Sequence, residues 1–149
     1  MNEIENFESQ YENLIRNISS FKEAAKNKEL AKLGDSIINM TYSIAYSIFI
    51  GKPIGEKVSA IILSESMKKA DLRKYAKRRA KAHDIADAAE SIIAYFFLKR
   101  KISIEQIILK IFEGLKSQFY PIKTIQDRRD IDIASITNLL VYIRDNLIF

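Results

Sequence analysis

Apolar residues at Ile4, Phe7, Tyr11, Leu14 and Ile18 follow one another at steps of three and four, which predicts an amphipathic helix over roughly residues 3–18 with a charged outer face. Ser20 followed by Glu23 is a capping-box pattern and starts a second helix running toward Gly34. Between Leu30 and Phe49 the apolar positions Leu33, Ile37, Ile38, Met40, Ile44, Ala45 and Ile48 wrap nearly the whole circumference. Such a helix belongs at the centre of a bundle or in a subunit interface. Gly51-Lys52-Pro53-Ile54-Gly55 is the clearest turn. A helix then runs to about Ala70, its turns marked by Val58, Ile61, Ile62, Ser66 and Lys69. Asp71 is placed to cap a further helix, with Arg73, Lys74, Lys77, Arg78 and Lys81 on one side and Leu72, Ala76 and Ala80 on the other.

From about Asp84 to Lys99 the chain is alanine-rich and then bulky (Ala86, Ala88, Ala89, Ile92, Ile93, Tyr95, Phe96, Phe97), a buried-helix signal. Ser103 with Gln106 forms a second capping box, opening a helix to about Ser117 that Pro121 follows. A polar connection containing Asp127, Arg128, Arg129 and Asp130 leads to a last helix striped by Ile133, Ile136, Leu140, Ile143 and Leu147. The expected fold class is therefore all-α, a helical bundle forming a single domain over residues 1–149. The presence of only four Gly and two Pro supports long helices over a many-turned β architecture.

Composition narrows the chemistry. With 48% hydrophobic and 29% charged residues, 149 residues suffice for one globular core. The lack of Cys removes disulfides, thiolate zinc sites and cysteine nucleophiles. The polar, acidic N-terminus does not have a secretory layout, and the longest apolar stretch, Ile37 to Ile50, is broken by Asn39, Thr41, Ser43 and Ser47. A cytoplasmic protein without a membrane span is expected. The formal charge is +5, and the excess is local: residues 68–81 hold eight basic side chains against Asp71. Tyr75 is the sole aromatic among them, so contact with duplex phosphates fits better than stacking on single-stranded bases.

Asp87 and Glu90, three apart on a helix, emerge from one face beside the small residues Ser91 and Ala94. Asp35 directly follows Gly34, whose missing side chain permits a close approach by another helix or a ligand. Three acids on two buried helices require a compensating cation or protons. A hard, oxygen-seeking dication, Mg²⁺ or Mn²⁺, is the natural partner, and phosphoryl chemistry follows from it. A hydrolase built on the His83-Asp84 dipeptide would need further histidines, and this chain has one.

Leu33-Gly34-Asp35-Ser36 and Ala86-Asp87-Ala88-Ala89-Glu90-Ser91-Ile92-Ile93-Ala94-Tyr95, in that order and about fifty residues apart, resemble the two acidic motifs of the ribonuclease III catalytic domain. The resemblance spans roughly Leu30 to Leu115 and is closest to small archaeal and minimal forms without a separate double-stranded RNA-binding domain. It implies a metal-dependent endoribonuclease acting on structured or double-stranded RNA, leaving 5′-phosphate and 3′-hydroxyl ends. Asp35, Asp87 and Glu90 would be its catalytic metal ligands, and Arg73, Lys74, Lys77, Arg78 and Lys81 its RNA contacts. It also implies a homodimer through the helix containing Asp35. The family pattern places a Glu four residues before the signature Asp, where this chain has Ala31. That departure leaves open a catalytically weak RNA-binding or assembly protein. Asp84 and His83, neither of them in the family pattern, stand close enough along the helix to support the site.

Overall fold

The computed structural model describes residues 2–117 and 121–148, and these form an all-helical bundle. Its helices are α1 (Glu3–Asn13), α2 (Phe21–Ala24), α3 (Lys28–Ile50), α4 (Ala60–Lys69), α5 (Ala82–Leu98), α6 (Ile104–Lys116) and α7 (Ile125–Ile143), with a closing π-helical turn at Arg144–Ile148. None of the helices is long and apolar enough to cross a membrane.

The centre of the bundle is α5 and not the apolar α3. Twelve of the 17 residues of α5 are buried, against nine of 23 in α3. The alanines of α5 let neighbours pack close, while Ile92 and Ile93 are wholly buried, each contributing about 2 kcal/mol by its removal from water. Helix α3 lies on one side of α5 and α4 on another, and the α6–α7 pair closes against α3 and α4. Consequently α3 keeps an outer stripe, Leu33, Met40, Ile44 and Ile48, in solvent.

Of the four glycines, Gly34 has the tightest surroundings. A Cβ placed there would stand 1.9 Å from the carbonyl oxygen of Glu90, which no side chain tolerates. Gly51, at φ 82°, ends α3 in the left-handed conformation that glycine adopts without steric cost. The chain then turns back along α3. Asn39, Ser43 and Ser47, spaced by four and so aligned in one row, bond its backbone: Asn39 Oδ1 accepts from Val58 N (2.9 Å), Ser43 Oγ accepts from Glu56 N (2.8 Å), and Ser47 Oγ accepts from Ile54 N (2.9 Å). The polar breaks in the apolar stretch thus dock a connection, and α4 begins at Ala60 under its Ser59 cap, later than the expected start near Val58.

Helix α7 is fastened to α3 by a half-buried polar network. The Tyr42 hydroxyl donates to Asp132, Arg128 bonds Asp132 and Tyr42 at 3.3 and 3.1 Å, and its guanidinium lies 4.0 Å from the Tyr46 ring centroid. Arg128 also reaches Glu56 at 3.4 Å, tying the returning connection into the same knot. The polar stretch Asp127–Asp130, expected as a connection, is instead the first turns of α7, started by a Thr124–Asp127 capping box.

Two further expectations are corrected. The first helix ends at Asn13, and Ile4, Phe7 and Leu14 stay exposed, because only Tyr11, Ile15 and Ile18 of that region pack against the core. The basic segment is not a helix face. Helix α4 stops at Lys69, Asp71 and Arg79 take positive φ (58° and 60°), and between them lies only a 3₁₀ turn at Arg73–Tyr75. Buried Leu72 and Ala76 pin this loop, and the Tyr75 ring meets Phe21 edge-on.

Gly34→Ala is expected to cost about 3 kcal/mol or more in urea denaturation, since backbone must move to admit the methyl group, whereas Gly55→Ala, with nothing near its Cβ position, should stay within about 0.5 kcal/mol. Equal effects at the two sites would show that the α3–α5 contact is not tight.

Candidate active-site cleft

The Gly34 contact sets Asp35 on α3 beside Glu90 on α5. Both open onto a cleft of about 520 Å³, with Ala31 and Lys32 on the α3 wall and His83 and Asp87 on the α5 wall. Glu90 is only 7% exposed, and its Oε2 atom is shut from solvent with no hydrogen-bond partner. Its pKa is pushed up to about 8, first by burial, then by the Asp35 carboxyl within hydrogen-bonding reach, and then by the charge of Asp87. A proton or a cation must compensate this crowding.

Asp35 is held from behind. Its Oδ1 accepts from Asn39 Nδ2 at 3.2 Å, and Asn39 is itself fixed by the N–H of Val58. Sequence reasoning did not single out Asn39 as part of the site, although its place one helical turn after Asp35 was the available signal. Neither Asp35 nor Glu90 is ion-paired with a lysine among the described residues. Lys32 lies instead 4.0 Å from Glu29 on the surface.

Asp87 leans the other way. Its Oδ2 stands 3.7 Å from His83 Nε2, which is 4.0 Å from Asp84 Oδ1. Among the described residues, His83, Asp84 and Asp87 form the one set of three metal-ligating side chains whose donor atoms all lie within 4.8 Å of one another. Asp35, Asp87 and Glu90 do not converge to that degree, so the structure presents two adjoining groups: the Asp35–Glu90 pair and the Asp87–His83 pair. Asp84 already has a structural role: Oδ2 accepts from Lys81 N at 3.0 Å, capping α5, and Oδ1 pairs with Lys77 at 3.2 Å. The capping bond is the main reason its carboxyl sits below the usual range.

The five basic residues read as RNA contacts are distributed around the loop. Lys77 reaches the cleft rim through Asp84, Lys74 pairs with Asp71 at 3.6 Å, and Arg73 is turned inward to the carbonyl of Ala80. Arg78 and Lys81 are exposed.

The donor set fits a divalent cation: oxygen ligands predominate, they carry excess negative charge, and one buried carboxylate oxygen lacks a partner. A profile of the family described as Ribonuclease III matches residues 28–148. The chain belongs to the ribonuclease III family. The ribonuclease III match runs well beyond the Leu30–Leu115 span of the motif resemblance: it begins at the first residue of α3 and takes in α4 to α7, leaving α1 and α2 ahead of it. No curated protein matches the chain. Ala31, the place of the ribonuclease III pattern's additional Glu, lines the cleft.

Because the Glu90 pKa is raised above 4.5, the stability this carboxyl contributes is whole below about pH 4.5 and is lost as pH rises through about 8. In metal-free protein the urea midpoint should fall between about pH 4.5 and pH 8 and level off above that, and fall less in Glu90→Gln. Identical pH profiles for the two proteins would refute the assignment.

Proposed function

We propose that this ribonuclease III family member is a divalent-metal-dependent endoribonuclease that hydrolyses phosphodiester bonds in structured or double-stranded RNA. The observation that carries the reading is the buried Glu90 side chain, one of whose carboxylate oxygens lacks a hydrogen-bond partner, beside Asp35 in a cleft that Asp87 also enters. Asp35, Asp87 and Glu90 would hold Mg²⁺ or Mn²⁺, and Asn39 keeps the Asp35 oxygen aimed at the site. When bound, the metal supplies a water of lowered pKa and steadies charge on the phosphodiester. Lys28 and Lys32 at the cleft, with Lys77, Arg78 and Lys81 beyond its rim, offer cations to the phosphates of a duplex.

The exposed stripe Leu33, Met40, Ile44 and Ile48 is the proposed homodimer contact, which would set two clefts side by side along a duplex. A second reading, a catalytically weak RNA-binding or assembly protein, is favoured by Ala31, which brings no donor atom to the cleft.

Cleavage of a long duplex RNA with Mg²⁺ or Mn²⁺ decides between the two. Wild type should cut, while Asp35→Asn, Asp87→Asn and Glu90→Gln should each lose at least about 100-fold in rate with helicity intact. Salt-sensitive binding without cutting would select the second reading. Sedimentation tests the interface: Ile44→Lys should convert a dimer to a folded monomer, and a monomeric wild type would refute that contact.

A further inference from the structure

His83 is the one imidazole in the chain, and nothing in the fold requires it. Its side chain is 73% exposed and makes no hydrogen bond among the described residues; the carboxylates of Asp84 and Asp87 lie within 4.0 Å of it. Both carboxylate oxygens stand within ion-pairing distance of the imidazole, at 4.0 Å from Asp84 and 3.7 Å from Asp87, and neither is hydrogen-bonded to it.

The spacing has a chemical meaning. His83 and Asp87 are one turn apart on α5, so their side chains lie one above the other on the wall of the cleft. Two donors that share an ion at about 2.1 Å each stand no more than about 4.2 Å apart. The 3.7 Å between His83 Nε2 and Asp87 Oδ2 therefore already suits a shared ion. Asp84 Oδ1 lies within the same limit of the imidazole, but its charge is engaged by Lys77.

We propose that His83 is a direct metal ligand, forming with Asp87 a nitrogen–oxygen site on the rim of the cleft that takes borderline transition dications in preference to Mg²⁺. Imidazole is a good ligand for such ions and a poor one for Mg²⁺, which favours oxygen and keeps its waters. The proposal rests on the metal-binding reading of this cleft and adds a second, chemically distinct position to it. Asp87 serves both positions, facing His83 on one side and the field of Glu90 on the other.

High-spin Co²⁺ tests this on full-length, tag-free protein. A coordinated imidazole shows a contact-shifted exchangeable N–H proton far outside the diamagnetic range, and with a single histidine such a signal has one assignment. That signal is expected on Co²⁺ addition, absent in His83→Ala, with Co²⁺ affinity weakened by about tenfold or more in that variant and Mg²⁺ affinity changed less than about twofold. Exposure of His83 makes the variant's folding safe, and metal-free melting curves check it. Co²⁺ that binds without the shifted signal, and equally well to His83→Ala, overturns the proposal while leaving the Asp35–Glu90 site standing. No Co²⁺ binding at all also overturns it. The shifted signal in a protein that never cuts duplex RNA keeps this site and removes the nuclease reading.

Discussion

The absence of a single methyl group at position 34 governs this molecule. Helix α3 lies so close to α5 that the Gly34 Cα faces the Glu90 main chain, and no other residue fits there. That contact brings Asp35 level with Glu90 and sinks Glu90 under the crossing. The remaining apolar surface of α3, Leu33, Met40, Ile44 and Ile48, faces outward because α5, and not α3, takes the centre of the bundle. Packing and chemistry are therefore one arrangement: a looser crossing would admit water, lower the Glu90 pKa and disperse the carboxylates.

Around that crossing the polar groups divide into settled and unsettled ones. Tyr42, Arg128 and Asp132 satisfy one another, and Asn39, Ser43 and Ser47 satisfy the returning backbone. One carboxylate oxygen of Glu90 is left without a partner. Among the described residues the hydroxyls of Ser64 and Thr137 are likewise without a partner, and what sets the bare Glu90 oxygen apart from them is its place beside Asp35 in the cleft.

Much of this was legible in the sequence. The 3.6-residue stripes and capping boxes located α3, α5 and α6 and the later turns of α7, and the Gly-Asp and Asp-x-x-Glu spacings pointed to the cleft. The failures have physical causes. Periodicity reports which face is apolar and not what covers it, so for α3 the centre of the bundle and a subunit interface could not be told apart, and the stripe of α1 read as packed. The loop between α4 and α5 is made by Asp71 and Arg79 in a conformation usually left to glycine, so composition gave no break. Sharing a helix face was enough to place Asp87 and Glu90 together, but rotamers turned Asp87 toward His83, and Asn39, hidden in an apolar run, looked like an interruption.

The row Asn39, Ser43 and Ser47 has an evolutionary corollary. It grips residues 54–58 by their peptide groups, so the identities of most side chains in that connection matter little to its path. Apart from Glu56, which Arg128 holds, drift should be freer along the connection than on the helix beneath it. Among related chains, the history of this loop would be written in three small polar positions of a neighbouring helix.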